Sequence, residues 1–154
     1  MRNWNSVILA GLLTAGAVWL AGCERQDHDH KHGSGPEVTV ADDYGKAIEQ
    51  IEEFSAQIEK DIAAGMLDKV HHPADQIRKI AEKLPGLAKG KVDAGDLKSI
   101  NKHAKELVDM FDEIDKVADA GKKAETVKLH EKMKELIKEL AGHAKHGDEE
   151  HHDK

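Results

Sequence analysis

The amino-acid sequence predicts an all-α protein: an antiparallel up-down-up-down four-helix bundle preceded by a signal peptide and a flexible tether. Three observations carry this expectation. Charged residues make up 34% and aromatics 3% of the 154 residues, and there are three prolines, a composition that favours helix over sheet. From position 44 onward apolar residues recur at alternating steps of three and four, the spacing that lines one face of a helix. Breaks in that recurrence at Gly65, Pro85-Gly86 and Gly121 call for short connections, which make sequential helices antiparallel neighbours. The length allows about one domain.

The leader comes first, over residues 1–22. Arg2 supplies positive charge, Val7 to Leu20 is a mostly apolar run of 14 residues, and Ala21 and Gly22 are small, the pattern of a secretory signal. The run is shorter than the roughly 20 residues of a membrane span. The single cysteine, Cys23, cannot make an internal disulfide, a CxxCH haem attachment or a Cys-based zinc finger. Leu20-Ala21-Gly22-Cys23 resembles the lipobox of bacterial lipoproteins. That resemblance implies a diacylglycerol on the Cys23 thiol and cleavage that leaves Cys23 as the first residue. With Glu24 next, it also implies delivery to the outer membrane, facing the periplasm. Two or more acyl chains anchor a protein stably, at roughly 0.8 kcal/mol per buried CH₂. An ordinary signal peptide or an uncleaved anchor helix is the alternative.

Residues 23–40 read as the tether. Asp27-His28-Asp29-His30-Lys31-His32 followed by Gly33-Ser34-Gly35-Pro36 offers too little apolar surface to fold alone. The bundle is expected over residues 41–142. Its first seam is Tyr44, Ile48, Ile51, Ser55, Ile58 and Ile62, widened by Ala47 and Phe54, with Asp42 and Asp43 as capping residues and Gly65 as the stop. The second is Leu67, Val70, Ala74, Ile77, Ala81 and Leu84, where Pro73 either kinks the helix or marks its true start and Pro85-Gly86 weakens or ends it. Lys89 to Gly95 reads as a loop. The third seam is Leu97, Ile100, Ala104, Leu107, Phe111, Ile114 and Ala118, closed by Gly121. The fourth is Thr126, Leu129, Met133, Leu136 and Leu140, with Val127 and Ile137 beside it, ending near Gly142. Residues 143–154 form a charged, histidine-rich tail expected to fray. One apolar seam per helix leaves no second face to cover, so a monomer suffices.

Eleven histidines are the strongest chemical signal in the chain. His28, His30 and His32 alternate along the tether among Asp27 and Asp29, and His143, His146, His151 and His152 cluster in the tail. Neutral imidazole is a good ligand for zinc, copper(II) and nickel, so these seven are the candidate metal ligands. Solvation of the chain ends or a response to pH is the alternative. Inside the bundle, His71 and His130 flank core seams, with Asp68 one turn before His71, and His103 stands beside Ile100 and Leu107. These three are secondary candidates whose simpler reading is a half-buried boundary position. A net charge of −7, with no basic run free of acidic neighbours, argues against nucleic acid. No Ser/His/Asp or Cys/His arrangement stands out, and pairs such as Glu52-Glu53 read as solvated, so the chain is not expected to be an enzyme.

Two further resemblances bear on function. The segment Ala63-Ala64-Gly65-Met66-Leu67-Asp68-Lys69-Val70-His71-His72-Pro73-Ala74 is similar to the helix-turn-helix signature of small helical periplasmic domains that accompany heavy-metal efflux, which implies a role in metal or envelope homeostasis. Ile114 to Ile137, with its corner at Ala118 to Gly121, resembles soluble periplasmic b-type cytochromes in fold. That family ligates haem with a methionine early in helix one and a histidine late in helix four. Here Met66 stands at the far end of helix one and His143 lacks its partner, so no haem is expected. The helices also lack the paired Glu-x-x-His of a di-iron site. The function expected is a membrane-anchored periplasmic lipoprotein that binds or buffers zinc, copper or nickel through its histidine-rich termini. The other reading is a non-enzymatic envelope protein whose acidic bundle docks a partner such as an efflux component.

Overall fold

A computed structural model of the chain describes the backbone of residues 38–146 and the side chains of residues 38–144. The expected leader, almost all of the tether and the distal tail lie outside the described residues, and with them Cys23, His28, His30, His32, His151 and His152. Within the described residues every regular element is helical. These are α1 (Tyr44–Ala64), a 3₁₀ turn (Leu67–Lys69), α2 (His71–Ala81), α3 (Leu84–Ala88), α4 (Ala94–Asp119) and α5 (Lys123–His146).

The boundaries follow from local chemistry. Asp43 accepts from the Lys46 amide and caps α1, while Asp93 Oδ1 accepts from Gly95 N at 2.6 Å and Asp96 N at 2.9 Å and caps α4. Both α1 and α4 end on a left-handed glycine, Gly65 at φ 75° and Gly121 at φ 68°. At the first, the Gly65 and Met66 amides donate to the Ile62 and Asp61 carbonyls; at the second, the Gly121 and Lys122 amides donate to Ala118 and Val117. This double closure needs the positive φ that glycine adopts without steric cost.

The second seam is cut into three pieces. Pro73 is the third residue of α2, where its missing N–H costs no helical bond, so it marks a beginning and not a kink. Pro85 cannot extend the ladder of α2, which stops at Ala81, and it opens α3 instead. The apolar stripe survives these breaks, since Val70, Ala74, Ile77, Ala81 and Leu84 are all buried.

Two seams differ from their expected registers. In α4 the buried set is Ile100, Ala104, Leu107, Met110, Ile114 and Ala118. Met110 takes the core position expected for Phe111, which with Leu97 is only partly buried at the edge. In α5 the buried set is Thr126, His130, Met133, Ile137 and Leu140. Thr126, Met133 and Leu140 are buried as expected, while His130 and Ile137 take the core positions expected for Leu129 and Leu136, which are partly buried, so the buried face is turned by about 40°. The helix also runs through Gly142 to His146, where an end near Gly142 was expected. A mid-helix glycine lowers helix stability by only about 1 kcal/mol and does not by itself end a helix.

Helix α1 packs on α2 and α5, and α4 packs on the same two and on α3. The first residue of α1 meets the far end of α5 through Tyr44 Oη, which donates to the Leu140 carbonyl at 2.9 Å. The last turn of α1 meets the start of α5 through Lys123 Nζ and the Ala63 carbonyl. Among the described residues Val127 is the only large hydrophobic exposed, at 38%. No described helix is long and apolar enough to cross a membrane.

Candidate functional site

The described histidines fall into separate settings. At one end of the fold, the start of α4 meets the end of α5. Asp96 Oδ1 lies 3.1 Å from His143 Nδ1, with the side chains 31% and 16% exposed. The amides of Asp96 and Gly95 hold the Asp93 carboxyl below the usual carboxylate range, and the nearby His143 charge adds to the effect. Burial, and then the charge of Asp96, keep the Tyr44 hydroxyl protonated well above its ordinary range. It therefore serves as the donor to Leu140, three residues before His143. The Asp96 carboxylate of α4 and the His143 imidazole of α5 thus meet at a partly exposed corner, with the capping Asp93 nearby.

The start of α2 meets the end of α4 at His71 and Asp115, whose Nδ1 and Oδ1 are 2.5 Å apart. An ionised carboxylate only accepts, so His71 Nδ1 carries the shared hydrogen, which fixes the orientation of the ring. The ring also meets the edge of Phe111 at 5.5 Å between centroids. Arg78 lies over the same Phe111 ring, 5.2 Å from its centroid, and reaches Asp75 at 2.7 Å and Glu82 at 2.9 Å. Burial raises the Asp75 carboxyl, but hydrogen bonds and charge from Arg78 and Lys79 outweigh it and hold the group low. Asp68, one turn before His71 in sequence, is exposed in the 3₁₀ turn.

His130 is the buried one. It is 2% exposed, and its Nε2 lies 3.0 Å from both the Ser55 carbonyl and Ser55 Oγ across the α1–α5 contact. A carbonyl only accepts, so Nε2 bears the hydrogen of a neutral ring. The half-buried boundary expected for this residue is not what forms, because the turned register of α5 carries it into the core. Beside Ser55 runs a groove of about 670 Å³ between α1 and α5. Ser55, Ala56, Ile137, Ala141 and Gly142 line it together with Glu52, Glu59, Glu131, Glu135, Lys134 and Lys138.

His71 and His130 therefore engage different helices, α4 and α1, and the structure does not bring them into one site. His103 is partly buried on α4, and its buried Nδ1 has no hydrogen-bond partner among the described residues. Among those residues no three His, Cys, Asp or Glu side chains converge in a metal-holding group. The groups that sequence reading missed are the partners: Asp96, Asp93, Asp115 and Ser55. Only Ser55 carried a signal, as the one polar residue in an otherwise apolar seam. Comparison with known proteins finds no matching family model, curated protein or solved structure.

Proposed function

We propose that this chain is a lipid-anchored envelope protein, not an enzyme, that binds or buffers a divalent transition metal through its histidine-rich termini. In this reading Cys23 carries the lipid on the periplasmic face of the outer membrane, and the helices form a monomeric up-down-up-down scaffold. The end-to-end contacts of α1 with α5 support the antiparallel arrangement. His28, His30, His32, His143, His146, His151 and His152 are the metal ligands, for zinc, copper or nickel. The observation that carries the reading is the histidine pattern of the chain ends, together with His143 seated beside the Asp96 carboxylate near the end of α5. The acid-rimmed groove between α1 and α5 favours the second reading, docking of an efflux or other envelope component.

Titrating the full chain with zinc, copper and nickel tests the proposal. Imidazoles with pKa near 6.5 must lose a proton to bind, so affinity should fall steeply between about pH 7 and pH 5.5. Replacing the seven terminal histidines by Asn should remove most bound metal and leave helicity nearly unchanged. Full stoichiometry in that variant would overturn the mechanism, and no binding by the wild type would leave the docking reading standing. Separately, Cys23→Ser should abolish processing and membrane retention. A variant of mature size that still pellets with membranes would sink the lipoprotein assignment.

A further inference from the structure

We propose that Asp96 and His143 are paired ligands of a divalent transition-metal ion, forming a folded-state site where the start of α4 meets the end of α5. The inference rests on the metal-binding reading above and adds to it a carboxylate ligand and a location on the bundle itself. Its first support is distance. Zinc bonds of about 2.0–2.2 Å to imidazole nitrogen and carboxylate oxygen, opened to a tetrahedral angle, set neighbouring donors roughly 3.3–3.6 Å apart. Asp96 Oδ1 and His143 Nδ1 are 3.1 Å apart, so both can turn to one ion with small side-chain movements. The His71–Asp115 pair, at 2.5 Å, is too close to be two ligands of one ion and reads as a direct hydrogen bond.

Charge is the second support. Asp96 and the nearby Asp93 place two carboxylates at this corner, whose charge a dication neutralises and a neutral ligand does not. The last carbonyls of α5 add negative potential from the helix terminus. The opposing positive end of α4 is answered by Asp93, which accepts two of its amides. Rigidity is the third support. Helices α4 and α5 pack directly on each other, Asp96 N is held by the Asp93 cap, and the Tyr44 hydroxyl holds α5 at Leu140, one turn before His143. Ligands fixed on packed helices lose little freedom on binding. Both are partly exposed, so water can complete the coordination.

A site built from two helices exists only in the folded state, and an ion bound there must raise the melting temperature, whereas ligands that do not depend on the fold bind folded and unfolded protein alike. The test uses the full chain in detergent with zinc chloride, read by calorimetry for stoichiometry and by thermal melting. Saturating zinc should raise Tm of the wild type by about 5 °C or more. A variant with His28, His30, His32, His151 and His152 all changed to Asn should keep that rise. Asp96→Asn should lose it while still binding zinc by calorimetry, and His143→Asn, the second variant should the first fold poorly, should behave the same way. A full zinc-induced rise in Asp96→Asn, or zinc binding by the wild type with no rise at all, overturns the site and leaves the terminal-histidine reading intact. No zinc binding by the wild type overturns both.

Discussion

Ile114→Ala should destabilise the protein by about 2–5 kcal/mol, the range for truncating a buried Ile to Ala. Ile114 is fully buried in the middle of the α4 seam, and α4 is the helix that packs on α2, α3 and α5. A cavity there is lined from several sides and cannot collapse by the shift of one neighbour. Against a whole-domain stability on the order of 5–15 kcal/mol this is a large fraction. The urea midpoint should drop by more than about 1 M. Val127→Ala is the control on the opposite kind of surface: exposed on α5, it should change stability by no more than about 0.5 kcal/mol. Equal midpoints for Ile114→Ala and the wild type would mean that the seam does not face a core.

Why Ile114 could be read from sequence while Phe111 could not is a matter of what periodicity measures. Spacing identifies a face to within about one residue, and on α4 both Met110 and Phe111 continue the 3/4 pattern from Leu107. The flexible Met side chain fills the interior, while the ring of Phe111 lies at the edge, where His71 and Arg78 cover it. The same one-residue ambiguity misplaced two of the five positions of the α5 seam. Leu129 is more hydrophobic than His130, and Leu136 matches Ile137, so composition favours Leu129 and Leu136 at the two positions where the stripes differ. Thr126, His130, Met133, Ile137 and Leu140 follow steps of 4, 3, 4 and 3, and the expected run follows steps of 3, 4, 3 and 4, so spacing alone does not choose between them; the Ser55 partner of His130 does. The first seam was fully legible because its isoleucines leave no competing face. Helix ends were legible where Asp or Gly supplied the chemistry, and less so at Gly142, which α5 passes through. Site partners were the least legible. Asp115 is 44 residues from His71, and Ser55 is 75 from His130; no local pattern links such pairs, because only the packing of α2 on α4 and of α1 on α5 brings them together.

The second large effect is expected at His130, and it depends on pH. Its ring is neutral, with Nε2–H directed at Ser55, and a second proton would place a charge in the core. Burial pushes its pKa below the ordinary 6.5 and the charge of Lys134 adds to this, while the Ser55 carbonyl, Glu59 and Glu131 oppose it without prevailing. Above pH 6.5 the folded and unfolded chains are both neutral at this residue, so it contributes no pH dependence. As pH falls below 6.5 the unfolded chain takes up a proton that the folded chain resists. Stability is therefore lost from about pH 6.5 down to the lowered folded value, by at most about 1.4 kcal/mol per pH unit for one proton. His130→Leu replaces the imidazole by an apolar group of similar size and removes the titration. Chemical denaturation at pH 7.5 and pH 5.5 should then show a smaller acid-induced loss in His130→Leu than in the wild type, by about 1 kcal/mol. At pH 7.5 the two should lie within about 1.5 kcal/mol, since the lost hydrogen bond is offset by apolar burial. His130→Ala, which also opens a cavity, should cost about 2–4 kcal/mol at either pH. Parallel pH dependence in the wild type and His130→Leu would mean that the ring is not held neutral in the core. The contrast also isolates this residue from His71 and His143, whose carboxylate partners Asp115 and Asp96 are untouched by the substitution.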